Sequence, residues 1–109
     1  MNFAEYQKQA DKFAVYEKRF YPFLGLAEEV GEFLGLAAKV QRGDDLVERF
    51  GSKEAAGEAY VKEAGDVLWQ LSQCLKELGI TLQEAAELNL KKLEDRQQRG
   101  VLKGAGSDR

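Results

Sequence analysis

The 109-residue sequence contains no histidine, one cysteine and one proline. Without histidine the chain cannot form a Ser-His or Cys-His catalytic pair, and the Glu-x-x-His ligands of di-iron helical bundles are also excluded. Cys74, which is alone, cannot form an intrachain disulfide, and we expect a small buried thiol because it falls on the apolar side of a helix. The absence of a Gly-x-x-x-x-Gly-Lys-[Ser/Thr] segment excludes a P-loop.

The sequence also lacks an excess of positive charge and a long apolar run. Its net charge of -3 argues against sequence-independent binding to duplex DNA, so we expect no nucleic-acid partner. The amino terminus has no basic segment followed by an apolar one, and no stretch reaches the length of a membrane span. We therefore predict a soluble, cytoplasmic protein with no membrane partner.

The residues that are abundant favour helices. Many Ala, Leu, Glu, Lys and Gln residues with few β-branched ones predict an all-α protein. We predict a single domain over residues 1–109, with a four-helix bundle-like fold that oligomerisation completes, because a small chain gains core by pairing its apolar faces. The predicted helices span residues 3–19, 23–42, 53–78 and 82–99, with one short turn of helix after residue 43.

Three further expectations concern glycine and proline. Pro22 stops the first helix and suits the first turn of the second. Ala27, Gly31 and Gly35 form a row of small residues at a spacing of four, for which we expect close packing of helices. The glycine-rich tail from about residue 100 is either disordered or a segment that becomes ordered on a ligand.

Two pairs of acidic residues recur at helical spacing. Glu29 and Glu32 lie three residues apart on the second predicted helix, and Glu63 and Asp66 lie three apart on the third. Each pair therefore points to one side of its helix. Four carboxylates that converge on a half-buried surface would repel one another by several kcal/mol unless a cation neutralised them. Oxygen ligands without His or Cys favour Mg²⁺, with Mn²⁺ as the alternative, over zinc.

Spacing alone does not distinguish a metal site from a solvated helix face. Glu84 and Glu87 have the same spacing without any other sign of a site, and surface charge is the more common explanation of such pairs. Both acidic pairs, however, border apolar residues rather than a run of charges. This context favours a carboxylate-only metal site.

Counting the short turn after residue 43, the last predicted helix, over residues 82–99, is α5, and it carries a polar stripe that we call the α5 stripe. Its members fall at spacings of three, four and three and therefore share one face: Asn89, Lys92, Arg96 and Arg99. A cationic stripe opposite an acidic cluster suits a Mg²⁺-bound polyphosphate, and arginine donates bidentately to phosphate. The pattern is equally consistent with a solvated stripe paired along the helix with its acidic residues, Glu84, Glu87, Glu94 and Asp95.

Taken together, these motifs resemble a known family. The segments Glu28-Glu29-Val30-Gly31-Glu32 and Glu63-Ala64-Gly65-Asp66, followed by the Asn89-x-x-Lys92-Leu93 segment with Arg96, Arg99 and Gly100, are similar to those of the MazG-like, all-α nucleoside triphosphate pyrophosphohydrolases. The likeness covers roughly residues 24 to 109. Two acidic motifs combined with the Asn-x-x-Lys-Leu segment are far more specific than any one of them.

The resemblance implies an enzyme and its site. It implies Mg²⁺-dependent hydrolysis of a nucleoside triphosphate between the α and β phosphates, and assembly as a homodimer or homotetramer. Family residues matching Glu29, Glu32, Glu63 and Asp66 hold the metal, and those matching Asn89, Lys92 and Arg96 lie near the nucleotide. On this interpretation Arg99 joins the phosphate contacts.

Three further residues receive roles on the same interpretation. Glu28, turned about 100° from Glu29, is a candidate general base or outer-shell ligand. Tyr16 and Trp69 are candidates for stacking on the base, although each also fits a core position. The rival hypothesis is a non-catalytic helical module in which the acids are surface charge and the apolar faces serve dimerisation.

Overall fold

The structure, a computed structural model, describes residues 1–100 of the chain. This part is helical and contains no strand, which confirms the predicted all-α class. A 3-10 turn at Asp11–Phe13 follows the first of five α-helices: α1 (Phe3–Ala10), α2 (Tyr21–Gln41), α3 (Leu46–Phe50), α4 (Lys53–Glu77) and α5 (Leu82–Gln98). The predicted tail, apart from its first glycine, lies outside the described residues. Among residues 1–100, no helix combines the length and apolar character that crossing a membrane requires.

Short polar side chains set where four of the five described helices begin, the exception being α2. The side-chain oxygens of Asn2, Ser52 and Thr81 accept hydrogen bonds from backbone N–H groups three residues later, at 2.8, 3.0 and 3.0 Å. Each bond satisfies an N–H group that the first helical turn leaves without a partner. Asp45 caps α3 in the same way, through the N–H of Val47 at 2.9 Å. The predicted starts of α1, α4 and α5 are therefore confirmed.

The predicted end of the first helix was wrong. The sequence predicted a helix to residue 19, but α1 ends at Ala10 and Ala14 has an extended backbone with φ -77° and ψ 102°. The physical reason is a contact with a distant part of the chain: the Tyr16 hydroxyl donates to Oε2 of Glu77 at 2.7 Å, and the Arg19 guanidinium donates to the Glu77 carbonyl oxygen. Residues 14–20 thus follow the end of α4 instead of continuing α1.

Helices α2 and α4 pack against each other in antiparallel orientation. Gly25 lies against Gln70, whereas Phe33, further along α2, meets Tyr60, further back along α4, with ring centroids 6.1 Å apart. A Cβ atom at position 25 would lie 2.5 Å from Nε2 of Gln70, so a larger residue there would force the buried Gln70 side chain to move. We call this contact surface of the two helices the α2–α4 seam.

Buried residues lie toward both ends of the seam. At one end Leu36 of α2, Leu46 of α3 and Ala56 of α4 form a buried core that Tyr60 covers. At the other end α1 packs on α4, where the Trp69 indole N–H donates to the Ala10 carbonyl oxygen at 3.0 Å. Cys74 is buried there as predicted, and burial raises the pKa of its thiol.

The small-residue row on α2 does not make the close contact that the sequence predicted. Within the described chain, nothing lies within 4 Å of a Cβ atom built at Gly31, and only Nζ of Lys39, at 4.0 Å, approaches one built at Gly35. The prediction of close helix packing at this row was therefore wrong within one chain. The physical reason is helical phase, because the residues that face α4 lie on the opposite side of α2 from Ala27 and Gly31.

Candidate metal centre

Acidic residues occupy the middle of the α2–α4 seam. On α2, Glu29 lies one turn after Gly25, and on α4, Glu63 lies one turn before Val67 and Asp66 one turn before Gln70. Because Gly25 packs on Gln70 and Phe33 packs on Tyr60, the stretch between them brings Glu29 opposite Glu63 and Asp66. Antiparallel pairing thus joins two motifs that lie more than thirty residues apart in the sequence.

Three of the four predicted ligands converge. Glu29, Glu32 and Glu63 each offer a carboxylate oxygen, and these oxygens all lie within 4.8 Å of one another. Glu29 and Glu63 are half-buried, whereas Glu32 and Asp66 are exposed. Asp66 lies outside this group of three but close enough to act on Glu29 electrostatically. We call these four residues the acidic cluster.

The acidic cluster concentrates negative charge on Glu29. Burial raises the pKa of the Glu29 carboxyl, and the neighbouring charges of Asp66, Glu32, Glu63 and Glu28 raise that pKa further. Within residues 1–100, no lysine or arginine forms an ion pair with any of these side chains. Solvent screens the exposed Glu32 and Asp66, and a bound cation would offset the repulsion that remains at Glu29. Glu28 itself is exposed beside the cluster.

The α5 stripe is divided between different environments. Arg96 is buried, with 7% of its surface exposed, while Asn89 and Lys92 are exposed. Arg99 is also exposed, and its Nε lies 2.8 Å from Oδ2 of Asp95 in a pair along the helix. Helix α5 packs against α1. The four residues therefore share a face of α5 but not a common set of surroundings.

The two predicted stacking residues lie together. Trp69 and Tyr16 line one pocket with Val15, Glu17, Lys18 and Tyr21. The rings of Tyr16 and Tyr21 have centroids 6.2 Å apart. Burial, followed by the hydrogen bond to Glu77, raises the pKa of the Tyr16 hydroxyl, so this hydroxyl stays protonated and bonded to the carboxylate.

Comparison with known proteins identifies the family. The sequence-family model of the MazG nucleotide pyrophosphohydrolase domain matches residues 23–101. This range includes both acidic motifs and the α5 stripe. The chain belongs to the MazG family. It is also 40% identical over 47 residues to the "Gene 37 protein" of Mycobacterium phage L5, a stretch that covers 43% of this chain and 41% of that protein. The chain therefore matches less than half of that relative. No solved structure matches the chain.

The donor set of this MazG domain fits a divalent cation. Three carboxylate oxygens within 4.8 Å of one another can reach a common ion, and hard oxygen donors suit Mg²⁺ or Mn²⁺. The half-buried position of Glu29 and Glu63 means that charge there is only partly solvated, which strengthens attraction for a cation.

Sequence reasoning missed one residue beside the cluster. Tyr6 of α1 is half-buried, and burial together with the nearby charge of Asp66 raises the pKa of its hydroxyl. In the sequence Tyr6 falls in the apolar stripe with Phe3 and Ala10, which indicates only a packing role. Tyr6 reaches Asp66 because α1 docks onto α4. The local sequence pattern does not predict which helices contact each other, so it could not indicate this proximity.

Proposed function

We propose that this MazG domain hydrolyses a nucleoside triphosphate between the α and β phosphates, giving a nucleoside monophosphate and pyrophosphate. The observation that carries the proposal is the convergence of Glu29, Glu32 and Glu63 at the centre of a packed helix pair. Membership of the MazG family supplies the reaction class. Magnesium, with manganese as the alternative, is the proposed cofactor, held by these three residues and Asp66.

In this proposal the acidic cluster binds the cation, and the neighbouring Glu28 takes up the proton. A divalent cation held by Glu29, Glu32 and Glu63 would supply Lewis-acid stabilisation of charge on the reacting phosphate. Water attacks the α-phosphorus, the bond from that phosphorus to the α–β bridging oxygen breaks, and the bridging oxygen leaves with pyrophosphate. Glu28, which is exposed beside the cluster, is the proposed acceptor of the proton lost by the water.

The α5 stripe is the proposed contact for the departing phosphates. Lys92 and Asn89 are exposed and free to approach a ligand, and lysine and arginine offset charge that develops on pyrophosphate. Arg96, which is buried, would act as a fixed charge behind them and Arg99 as an exposed one. The equal alternative is that the stripe is a solvated face, which the Arg99–Asp95 pair along the helix favours.

Assembly as a homodimer or homotetramer is part of the proposal. The face of α2 that points away from α4 leaves Leu24 and Leu34 exposed, at 72% and 57%. The small residues Ala27 and Gly31 lie between them on this face. A second copy that covers this face would bury apolar surface and allow close helix approach. The same face is also what a non-catalytic dimerisation module would present.

Hydrolysis in ¹⁸O-water tests the proposed reaction. It also distinguishes an enzyme from the non-catalytic dimerisation module. Attack on the α-phosphorus places ¹⁸O in the nucleoside monophosphate and leaves pyrophosphate unlabelled, which mass spectrometry detects. Label in orthophosphate as the first product would contradict the proposal, because it indicates attack at the γ-phosphorus. A chain that releases neither product from any ordinary triphosphate, with Mg²⁺ or Mn²⁺ present, would support the non-catalytic module.

A further inference from the structure

One side chain in the α2–α4 seam buries a polar oxygen without a partner. Gln70 of α4 is 8% exposed, and within residues 1–100 its Oε1 accepts no hydrogen bond. Such burial costs folding free energy, because the oxygen gives up its hydrogen bonds to water and gains none from the protein. An apolar side chain of similar size would avoid this cost. The glutamine therefore points to a role other than packing.

The seam covers the face of this amide and leaves its edge available. A Cβ atom built at Gly25 would lie 2.5 Å from Nε2, 2.6 Å from Cδ and 2.6 Å from Oε1 of Gln70, so the amide lies flat across Gly25. A carbonyl oxygen accepts hydrogen bonds close to the plane of its own group. The contact with Gly25 therefore holds the amide in place without using the lone pairs of Oε1.

The amide lies about one helical turn from the acidic cluster. Gln70 follows Asp66 by four residues on α4, which is a rise of about 6 Å. Gly25 precedes Glu29 by the same four residues on α2. Side chains on a helix lean toward its amino terminus, so Gln70 leans toward Asp66 and Glu29 leans back toward Gly25. Both inclinations bring the amide of Gln70 and the half-buried carboxylate of Glu29 toward each other.

The oxygen of Gln70 and the carboxylates of the acidic cluster are complementary to one hydrated ion. All of these oxygens are acceptors, so they cannot hydrogen bond to one another. Carboxylates bind Mg²⁺ directly, and Mg²⁺ keeps several water ligands whose O–H groups can donate to an amide oxygen. We propose that Gln70 is a positioning residue for the cation, and that its Oε1 accepts a hydrogen bond from a water molecule bound to the ion. This inference rests on the metal site of the proposed function.

Stability and cation affinity should respond to loss of this oxygen in different ways. Gln70→Met keeps the length of the side chain and removes the oxygen, and Gln70→Leu removes it in a shorter one. In EDTA, Gln70→Met should unfold at the same denaturant concentration as the wild type or at a higher one. Its Kd for Mg²⁺, measured by calorimetry without nucleotide, should rise about 10- to 100-fold, as expected for an outer-shell partner of a metal ligand. Gln70→Leu should weaken Mg²⁺ binding similarly. An unchanged Kd in both variants would overturn the inference.

Two further variants separate this role from a general disturbance of α4. Gln70→Glu keeps an acceptor at the same reach, so it should bind Mg²⁺ at least as tightly as the wild type, although its buried charge should lower stability in EDTA. Gln73 is also a buried amide, but it lies two turns beyond Asp66 and accepts from the Tyr16 hydroxyl at 3.0 Å. Gln73→Met should therefore leave the Kd for Mg²⁺ unchanged. Weakened binding in Gln70→Glu, or equal weakening in Gln73→Met, would contradict the role of Gln70.

Pyrophosphate release from nucleoside triphosphates, measured in parallel on the wild-type chain, separates this inference from the proposed function. Hydrolysis together with an unchanged Kd in Gln70→Met and Gln70→Leu overturns the inference and leaves the function standing. Binding of Mg²⁺ that depends on Gln70, without hydrolysis of any ordinary triphosphate, supports the inference and contradicts the function. A wild-type chain that binds neither Mg²⁺ nor Mn²⁺ overturns the inference together with the metal site.

Discussion

The α2–α4 pair and α5 carry the two halves of the proposed site, and the chain holds them differently. The acidic cluster lies between two packed contacts, Gly25 against Gln70 and Phe33 against Tyr60. Helix α5 packs against α1, and it leaves Leu88 and Leu90 about three-fifths exposed. Contacts on both sides therefore determine the geometry of the acids, whereas the placement of the α5 stripe depends on α1 and on what covers α5.

This difference shows that sharing a helical face is weaker evidence than sharing a packed interface. Glu29 and Glu63 are half-buried opposite each other, so their charges must interact. The residues of the α5 stripe have the same regular spacing, but Arg96 is buried and Lys92 is exposed. Variants in the acidic cluster should consequently have the larger effects.

The largest expected effect is loss of a ligand. Glu32→Gln or Asp66→Asn should lower kcat/KM by orders of magnitude while helical circular dichroism is retained, because removing one ligand leaves the cation undercoordinated. Glu58→Gln is the matched control, since Glu58 is an exposed acid on the same helix as Asp66 and forms an exposed ion pair with Lys62 at 3.5 Å. Near-normal turnover in either cluster variant would contradict the metal assignment.

A smaller effect is expected at the α5 stripe. A charged hydrogen bond to phosphate contributes about 1.5 to 3 kcal/mol, so Lys92→Ala should lower kcat/KM roughly ten- to a hundredfold. Lys91→Ala, also exposed but rotated about 100° on the helix, is the control. Equal losses in the two variants would mean that α5 contributes only diffuse positive charge. Arg96→Ala is a less selective variant, because Arg96 is buried and its loss also affects packing.

The stability of the α2–α4 seam provides the third test. Gly25→Ala places a methyl group 2.5 Å from Nε2 of Gln70 and should destabilise the chain by about 1 to 3 kcal/mol, measured by denaturant unfolding. Gly57→Ala on α4 meets nothing within 4 Å, so it should be neutral or stabilising by up to about 1 kcal/mol. If the two variants unfold alike, Gly25 does not determine how closely the helices approach.

Local signals predicted the later helices well. Ser52 and Thr81 place the starts of α4 and α5, and Gly79 and Gly100, both at positive φ, follow their ends. The end of α1 was not predictable in this way. It depends on a hydrogen bond between Tyr16 and Glu77, which lie 61 residues apart.

The candidate site was likewise predictable only in part from the sequence. Spacing indicated that Glu29 and Glu32 share a side of their helix, but only the antiparallel pairing of α2 with α4 brings Glu63 to them. The proximity of Tyr6 to Asp66 and the placement of Tyr21 beside Trp69 come from the docking of segments distant in sequence. Residue periodicity does not predict these contacts.

Thermal unfolding with and without Mg²⁺ tests the central claim, that the acidic cluster holds a divalent cation. At a Mg²⁺ concentration of about 100 times Kd, binding stabilises the folded chain by about 2.7 kcal/mol, which corresponds to a rise in Tm of roughly 10 to 20 °C. The Tm of Glu63→Gln should respond far less, and NaCl at equal ionic strength should not reproduce the rise. A wild-type Tm that ignores Mg²⁺ and Mn²⁺, or an equal rise in Glu63→Gln, would contradict the claim.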